Sequence, residues 1–161
     1  GSGTAYTVGV TAASSMDYSF SGDFTGLDPN IDVSVGDTIV FNVNASGHPF
    51  WLKTIQGTGT GNAVSVTNNG TSSGTIVWVP TSAGTFFYNC QFHSGMTGTI
   101  SVSPATATYA WDFGDGSGTS SSQNPDYIFP TSGTYNVCLI VTDTCCLDSI
   151  CQSVTVLDTN T

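Results

Sequence analysis

Glutamate and arginine are absent from this chain of 161 residues, and Lys53 is its one lysine. All 11 acidic residues are aspartates, charged residues make up only 7% of the chain, and the formal net charge is −10; an average soluble protein has roughly a quarter of its residues charged. One lysine cannot neutralise a phosphate backbone or hold an anionic bilayer, because both need clustered cations. Nucleic acid and membrane-surface partners are excluded on that ground. Long apolar runs are lacking too: no stretch approaches the roughly 20 residues of a membrane-spanning helix. No charged-then-apolar leader opens the chain, which leads us to expect a mature or excised form, and Gly1-Ser2-Gly3 reads as a flexible start or an expression scar. With helix formers scarce and Gly, Ser, Thr and Asn abundant, the composition predicts an all-β protein. The length suits one ordinary domain or two small ones.

Short alternating segments recur with Gly, Asp or Asn between them: residues 6–10, 31–35, 38–43, 74–79, 84–89 and 98–102. Period-two alternation marks half-buried strands, and this set is the size of one sandwich. Residues 54–73 are rich in Gly, Thr and Asn around the weak apolar centre Ala63-Val64-Ser65-Val66, and predict a long surface connection. Ser103-Pro104-Ala105-Thr106 is the domain boundary, since proline cannot donate to a sheet ladder. We therefore divide the chain into domains at 1–103 and 104–161. In the second, Tyr109 to Gly116 runs from a strand into a tight turn, and residues 134–142 and 149–156 read as a hairpin. The halves share no internal repeat.

Cys90 stands alone, whereas Cys138, Cys145, Cys146 and Cys151 crowd into one late segment. The late cluster reads as disulfides and hence as an oxidising, extracytoplasmic compartment, either secreted or cell-surface. A hairpin turning near Thr144 and Cys145 would set Cys138 opposite Cys151, at disulfide separation; Cys145 and Cys146 are left to bond each other, stay reduced or link chains. Cys90 belongs to different chemistry. In Tyr88-Asn89-Cys90-Gln91-Phe92-His93-Ser94-Gly95-Met96 a thiol, an imidazole and a thioether share one short loop. His48, in Gly47-His48-Pro49-Phe50, follows an earlier strand, and in a sandwich both loops can lie at one pole. Cys90, His48, His93 and a weak axial Met96 form the donor set of a blue-copper electron-transfer site, softer than calcium or magnesium would take. Singly, a buried Cys is usually inert packing and a Met a gap filler. Here both histidines and one of two methionines fall in the same arrangement. Zinc would gain little from Met96, and no oxyanion-hole glycine signature supports a nucleophilic Cys-His pair.

At these residues the chain resembles the cupredoxin family, small copper proteins that include plastocyanin and amicyanin. The resemblance covers roughly residues 4–103 and rests on Ser21-Gly22-Asp23-Phe24, Val35-Gly36-Asp37-Thr38, the Gly47–Phe50 loop and the segment from Tyr88 to Gly98. It implies a Greek-key sandwich holding one copper, with His48, Cys90 and His93 as trigonal ligands and Met96 as the axial one. The two-residue gap between His93 and Met96 is that of amicyanin-like members. In many such sites the amide after the first histidine points at the thiolate; Pro49 has none. About residues 107–157 resemble a PKD domain, through Trp111-Asp112-Phe113-Gly114-Asp115-Gly116, Asn124-Pro125 and Gly133-Thr134-Tyr135-Asn136-Val137. This implies a small immunoglobulin-like sandwich acting as a spacer or interaction module. Asp112 and Asp115 are read as turn residues before calcium ligands, and Trp111 as core.

The expected function is single-electron transfer by a secreted or cell-surface copper protein that is not an enzyme and has no catalytic residues. His93 is the expected exposed edge for electrons, with Phe92, Gly95 and Pro49 as an apolar docking rim; the redox partner is unknown. The alternative is a structural protein that uses both sandwiches as building blocks. PKD-like modules normally begin with two strands before the Trp-Asp-Phe-Gly-Asp-Gly strand, and only about five residues precede Tyr109 here. The module is therefore expected to be completed by a neighbouring chain, giving a homo-oligomer or filament.

Overall fold

The computed structural model of the protein describes residues 3–143 and 146–158. Among these it contains strands and no helix, as the composition requires. The chain divides into two compact units, one ending at Ala105 and the other running from Thr106.

The first unit holds β1 (Ala5–Thr11), β2 (Ser19–Gly22), β3 (Gly26–Leu27), β4 (Ile31–Ser34), β5 (Thr38–Asn44), β6 (Phe50–Lys53), β7 (Ser73–Trp78), β8 (Gly84–Cys90) and β9 (Thr97–Ser103). They form two sheets, of order β3-β2-β1-β5-β7 and β4-β9-β8-β6. From β3 to β8 each successive strand changes sheet, which yields the parallel pairs β1/β5 and β4/β9. Alternating side chains of both sheets meet in one core, in which Tyr18, Phe20, Phe41, Phe50 and Tyr88 make ring contacts with centroids 4.9–6.5 Å apart. The Val35-Gly36-Asp37-Thr38 turn is closed by Asp37, whose carboxylate accepts the amides of Thr4 and Ser34, each at 2.7 Å.

Strand β6 went unforeseen because Phe50-Trp51-Leu52-Lys53 does not alternate. The reason is the 54–72 connection, which packs over the strand's outer side. At Gly70 (φ +86°) a Cβ would fall 2.2 Å from the Trp51 ring. Asn69 accepts the Leu52 amide and donates to the carbonyls of Leu52 and Val64. Lys53, only 2% exposed, donates from Nζ to the carbonyls of Gly57, Thr58 and Gly59 at 2.5–3.2 Å. A buried ammonium is tolerable only when its donors are used, and three carbonyls use all three.

The second unit is one sheet of order β11-β10-β12-β13, from β10 (Thr108–Asp112), β11 (Thr119–Ser120), β12 (Gly133–Thr142) and β13 (Leu147–Val156). The β12/β13 register puts Cys138 opposite Cys151, and the two are disulfide-bonded. Thr144 and Cys145, the turn residues of that reading, lie outside the described residues, as do Gly1 and Ser2. Asp112 and Asp115 hold their own turn, Asp112 accepting the Gly114 amide and Asp115 the amides of Ser117 and Gly118, and Asp115 also accepts the Tyr127 hydroxyl from outside it. Trp111 is half-buried, its ring parallel to that of Phe113. Among the described residues of this unit, Phe113 is the one buried large apolar side chain. Across β10, β12 and β13 a row of apolar side chains that includes Trp111, Val137, Leu139, Ile150 and Val154 lines a shallow groove, and Ile150 is 67% exposed.

Replacing Lys53 by Met leaves the carbonyls of Gly57, Thr58 and Gly59 without their donor. We expect a loss of about 1–3 kcal/mol, the scale of orphaned buried polar groups, read as a lower midpoint in chemical denaturation. A loss below about 0.5 kcal/mol, the scatter of ordinary surface changes, would mean that the cage does not hold the connection in place.

Candidate metal centre

Register brings the donors together. Strand β6 lies antiparallel to β8 with Phe50 opposite Cys90, so the residues just before Phe50 sit beside those just after Cys90. The Gln91 amide donates to the Pro49 carbonyl at 3.1 Å and stitches the two loops together. The His48 amide donates to Ala45 O and so closes the 45–48 turn; the Cys90 amide donates to Met96 O and the Met96 amide to His93 O, folding residues 90–96 into a compact loop.

In this frame three of the four expected site residues converge. The Nδ1 atoms of His48 and His93 are 3.1 Å apart, and Cys90 Sγ lies 3.4 Å from the His93 nitrogen and 3.9 Å from that of His48. A triangle with these sides has a point about 2.0 Å from every corner, close to metal–imidazole and metal–thiolate bond lengths. The three donors therefore fit a single first-row ion without moving. Cys90 and Met96 are fully buried, and both histidines are half-buried. Met96 is tied to Cys90 and His93 through backbone hydrogen bonds.

Outside this group, Phe92 is 61% exposed, Gly95 is exposed and Pro49 is half-buried. Met16, 71% exposed, comes close to the same loop, its carbonyl 3.5 Å from where a Gly95 Cβ would stand.

Two residues that sequence reasoning passed over complete the surroundings. The Tyr18 hydroxyl is placed to donate to the carbonyls of His48 (3.0 Å) and Pro49 (3.1 Å). Burial, and after it the neighbouring Cys90 side chain, hold the phenol far above its ordinary titration range, so it is a neutral O–H at any pH the fold meets. Asp28 anchors that tyrosine: Tyr18 N donates to its carboxylate at 3.0 Å, and Asp28 N donates to Tyr18 O at 2.9 Å. No motif marks either residue; the one available signal was that a buried tyrosine needs a partner for its hydroxyl.

Residues 91–157 match the PKD domain family model. The match runs back through β9, which pairs with β8 and β4 in the first unit, and covers the whole β10–β13 sheet. Among solved structures the chain is similar to rusticyanin from Thiobacillus ferrooxidans, at 22% identity over 63% of this chain and 79% of that one, with a TM-score of 0.42. It is also similar to a purple cupredoxin from Nitrosopumilus maritimus (20% identity, 61% and 99% covered, TM-score 0.41). A third is auracyanin B (20%, 65% and 92%, TM-score 0.38).

Burial, followed by the charge of Asp17, raises the Asp28 carboxyl to about 6, against 3.8 for a free aspartate. The folded state thus binds this proton more tightly than the unfolded chain, and stability from this group is lost as pH rises from about 4 to about 6. In Asp28→Asn, whose amide oxygen still accepts the Tyr18 amide, that loss should vanish. Melting temperatures of variant and native protein should therefore diverge in the variant's favour across this interval; a constant difference from pH 4 to 7 would contradict the assignment.

Proposed function

We propose that this chain is an extracytoplasmic type 1 copper protein that passes single electrons and is not an enzyme, with the copper domain in residues 1–103 and a PKD-like module in 104–161. The observation that carries it is the donor triangle of His48, Cys90 and His93, sized for one ion, with the buried Met96 thioether on the same loop. One thiolate, two imidazoles and a weak thioether are the set that suits copper in both oxidation states, and the ion supplies the electron that is gained and lost. Zinc would want a fourth strong donor. The chain's own part is to keep the donors still: backbone bonds from Gln91 to Pro49 and from Cys90 to Met96 hold both loops whichever charge the site carries.

His93 and His48 turn Nδ1 inward, so their Nε2 edges face away from the sulfur, and His93 is the exit we assign to the electron. Phe92, Pro49 and Gly95 form the rim on which a redox partner docks, with exposed Met16 extending it. The Cys138–Cys151 disulfide supports the extracytoplasmic placement, because such bonds persist in oxidising compartments.

The open sheet of the second unit favours a second reading, in which the sandwiches are building blocks of a filament. Its β13 edge carries a single charge, Asp148, over ten residues, too little to deter pairing with another copy. Under the carrier reading, purified protein binds one copper per chain, is intensely coloured when oxidised and gives a reversible redox wave. Cys90→Ser should abolish the colour, and Met96→Gln should keep the metal and lower the potential. Unchanged metal content and spectrum in Cys90→Ser would refute the site. Concentration-dependent assembly in light scattering, with metal absent, would favour the second reading; a strict monomer with a folded second domain would end it.

A further inference from the structure

Residues 54–62 leave β6 and return beside it: the Thr54 amide donates to Asn62 O, and Lys53 forms a bridge with Ala63. Within this loop the carbonyls of Gly57, Thr58 and Gly59 all turn to Lys53 Nζ, at 2.5–3.2 Å. In an extended chain successive carbonyls point to opposite sides. Their convergence here uses the positive φ of Gly57 (+147°) and Gly59 (+77°), a conformation that glycine adopts without steric cost.

The amides of the same segment go to the residues on either side of Cys90. Gly57 N donates to Asn89 Oδ1 at 3.1 Å, and Gly59 N donates to Gln91 O at 2.8 Å. The Trp51 indole adds a third hold, donating from Nε1 to Gln91 Oε1 at 3.2 Å. Side chains alternate along a strand, so Cys90 enters the core while Asn89, beside it on β8, faces the side that the loop covers. Asn89 is 1% exposed, which leaves little water to compete for its carbonyl oxygen. The ligand residue is thus gripped through both of its chain neighbours, from the side of the sheet opposite its sulfur.

We propose that Lys53 is a positioning residue of the metal centre: by gathering the carbonyls of residues 57–59 it sets the amides of Gly57 and Gly59 against Asn89 and Gln91, and so fixes the backbone on both sides of Cys90 before any ion arrives. A loop ordered in advance spares the binding step the entropy of fixing residues 89–91. The ammonium acts here through geometry and against its own charge. A cation inside the domain disfavours a second cation in the site, so by charge alone Lys53 weakens metal binding. The two influences therefore have opposite signs, and removing the lysine tells them apart.

The inference rests on the copper reading, and its test separates the two. Copper(I) affinity is measured by competition with bicinchoninate for the native protein, Lys53→Met and Asn89→Leu, at a temperature where circular dichroism shows each to be folded. Loss of an outer positioning residue costs about 10–100-fold in metal affinity, and Lys53→Met should weaken binding within that range. Asn89→Leu keeps the ammonium and its cage and loses only the Gly57 hold; it should weaken binding by less, and it carries the test if Lys53→Met fails to fold. In metal-free protein the Gln91 amide, bonded to Pro49 O, and the Cys90 amide, bonded to Met96 O, report the grip directly. Their hydrogen exchange should quicken roughly tenfold in either variant relative to the amides of β5, as local opening does when a hold is lost. A native protein that binds copper while its folded variants bind it equally or more tightly overturns this inference alone. Exchange at Gln91 and Cys90 that stays in step with β5 does the same. A native protein that takes up no copper overturns both.

Discussion

The pairing of β6 with β8 is the constraint on which the rest of the first unit depends. Side chains alternate across a strand, so slipping this register by one residue would turn Cys90 to the outer face and part the His48 loop from the Cys90 loop. Both faces of β6 resist the slip. On the inner side Phe50 and Leu52 are fully buried in the aromatic core; on the outer side Lys53 is caged by three carbonyls and Trp51 is covered by the 54–72 connection. A long loop of small polar residues, which looks dispensable, locks the strand that delivers His48.

The lone lysine illustrates how scarce charge is used. In a chain with a formal charge of −10 a surface lysine would find many weak partners. Lys53 instead gives its donors to the neutral carbonyls of Gly57, Thr58 and Gly59, and burial lowers its pKa from the ordinary lysine value. Its cage reaches the Cys90–Met96 loop directly, since the Gly59 amide donates to the Gln91 carbonyl and Gln91 follows Cys90.

The second unit is held by different means. Its core is a short aromatic stack, Phe113 on Tyr127 (3.8 Å) and Phe129 on Tyr135 (4.4 Å), and its long hairpin is stapled by a disulfide. Small sheets that bury little apolar surface commonly depend on such a cross-link. The PKD family match extends back through β9, which the first unit uses in its own sheet, and among the described residues the second unit forms one four-stranded sheet.

The all-β class, the run of alternating strands, the Cys138–Cys151 pairing and the grouping of His48 with Cys90 and His93 were all legible in the chain itself. Each follows from local facts: side-chain period, turn residues, and donor types too rare to coincide by accident. Strands β2, β3, β6 and β11 were not legible, because two are only two residues long and β6, covered on both faces, has no alternation to show. Nor were Tyr18 and Asp28, whose partners lie up to 31 residues away along the chain. Their roles are decided by which loops the sheets bring to one pole, and by the removal of water there. A buried hydroxyl must then find its partner on the loop that carries His48 and Pro49, a requirement that arises only once the sandwich is packed.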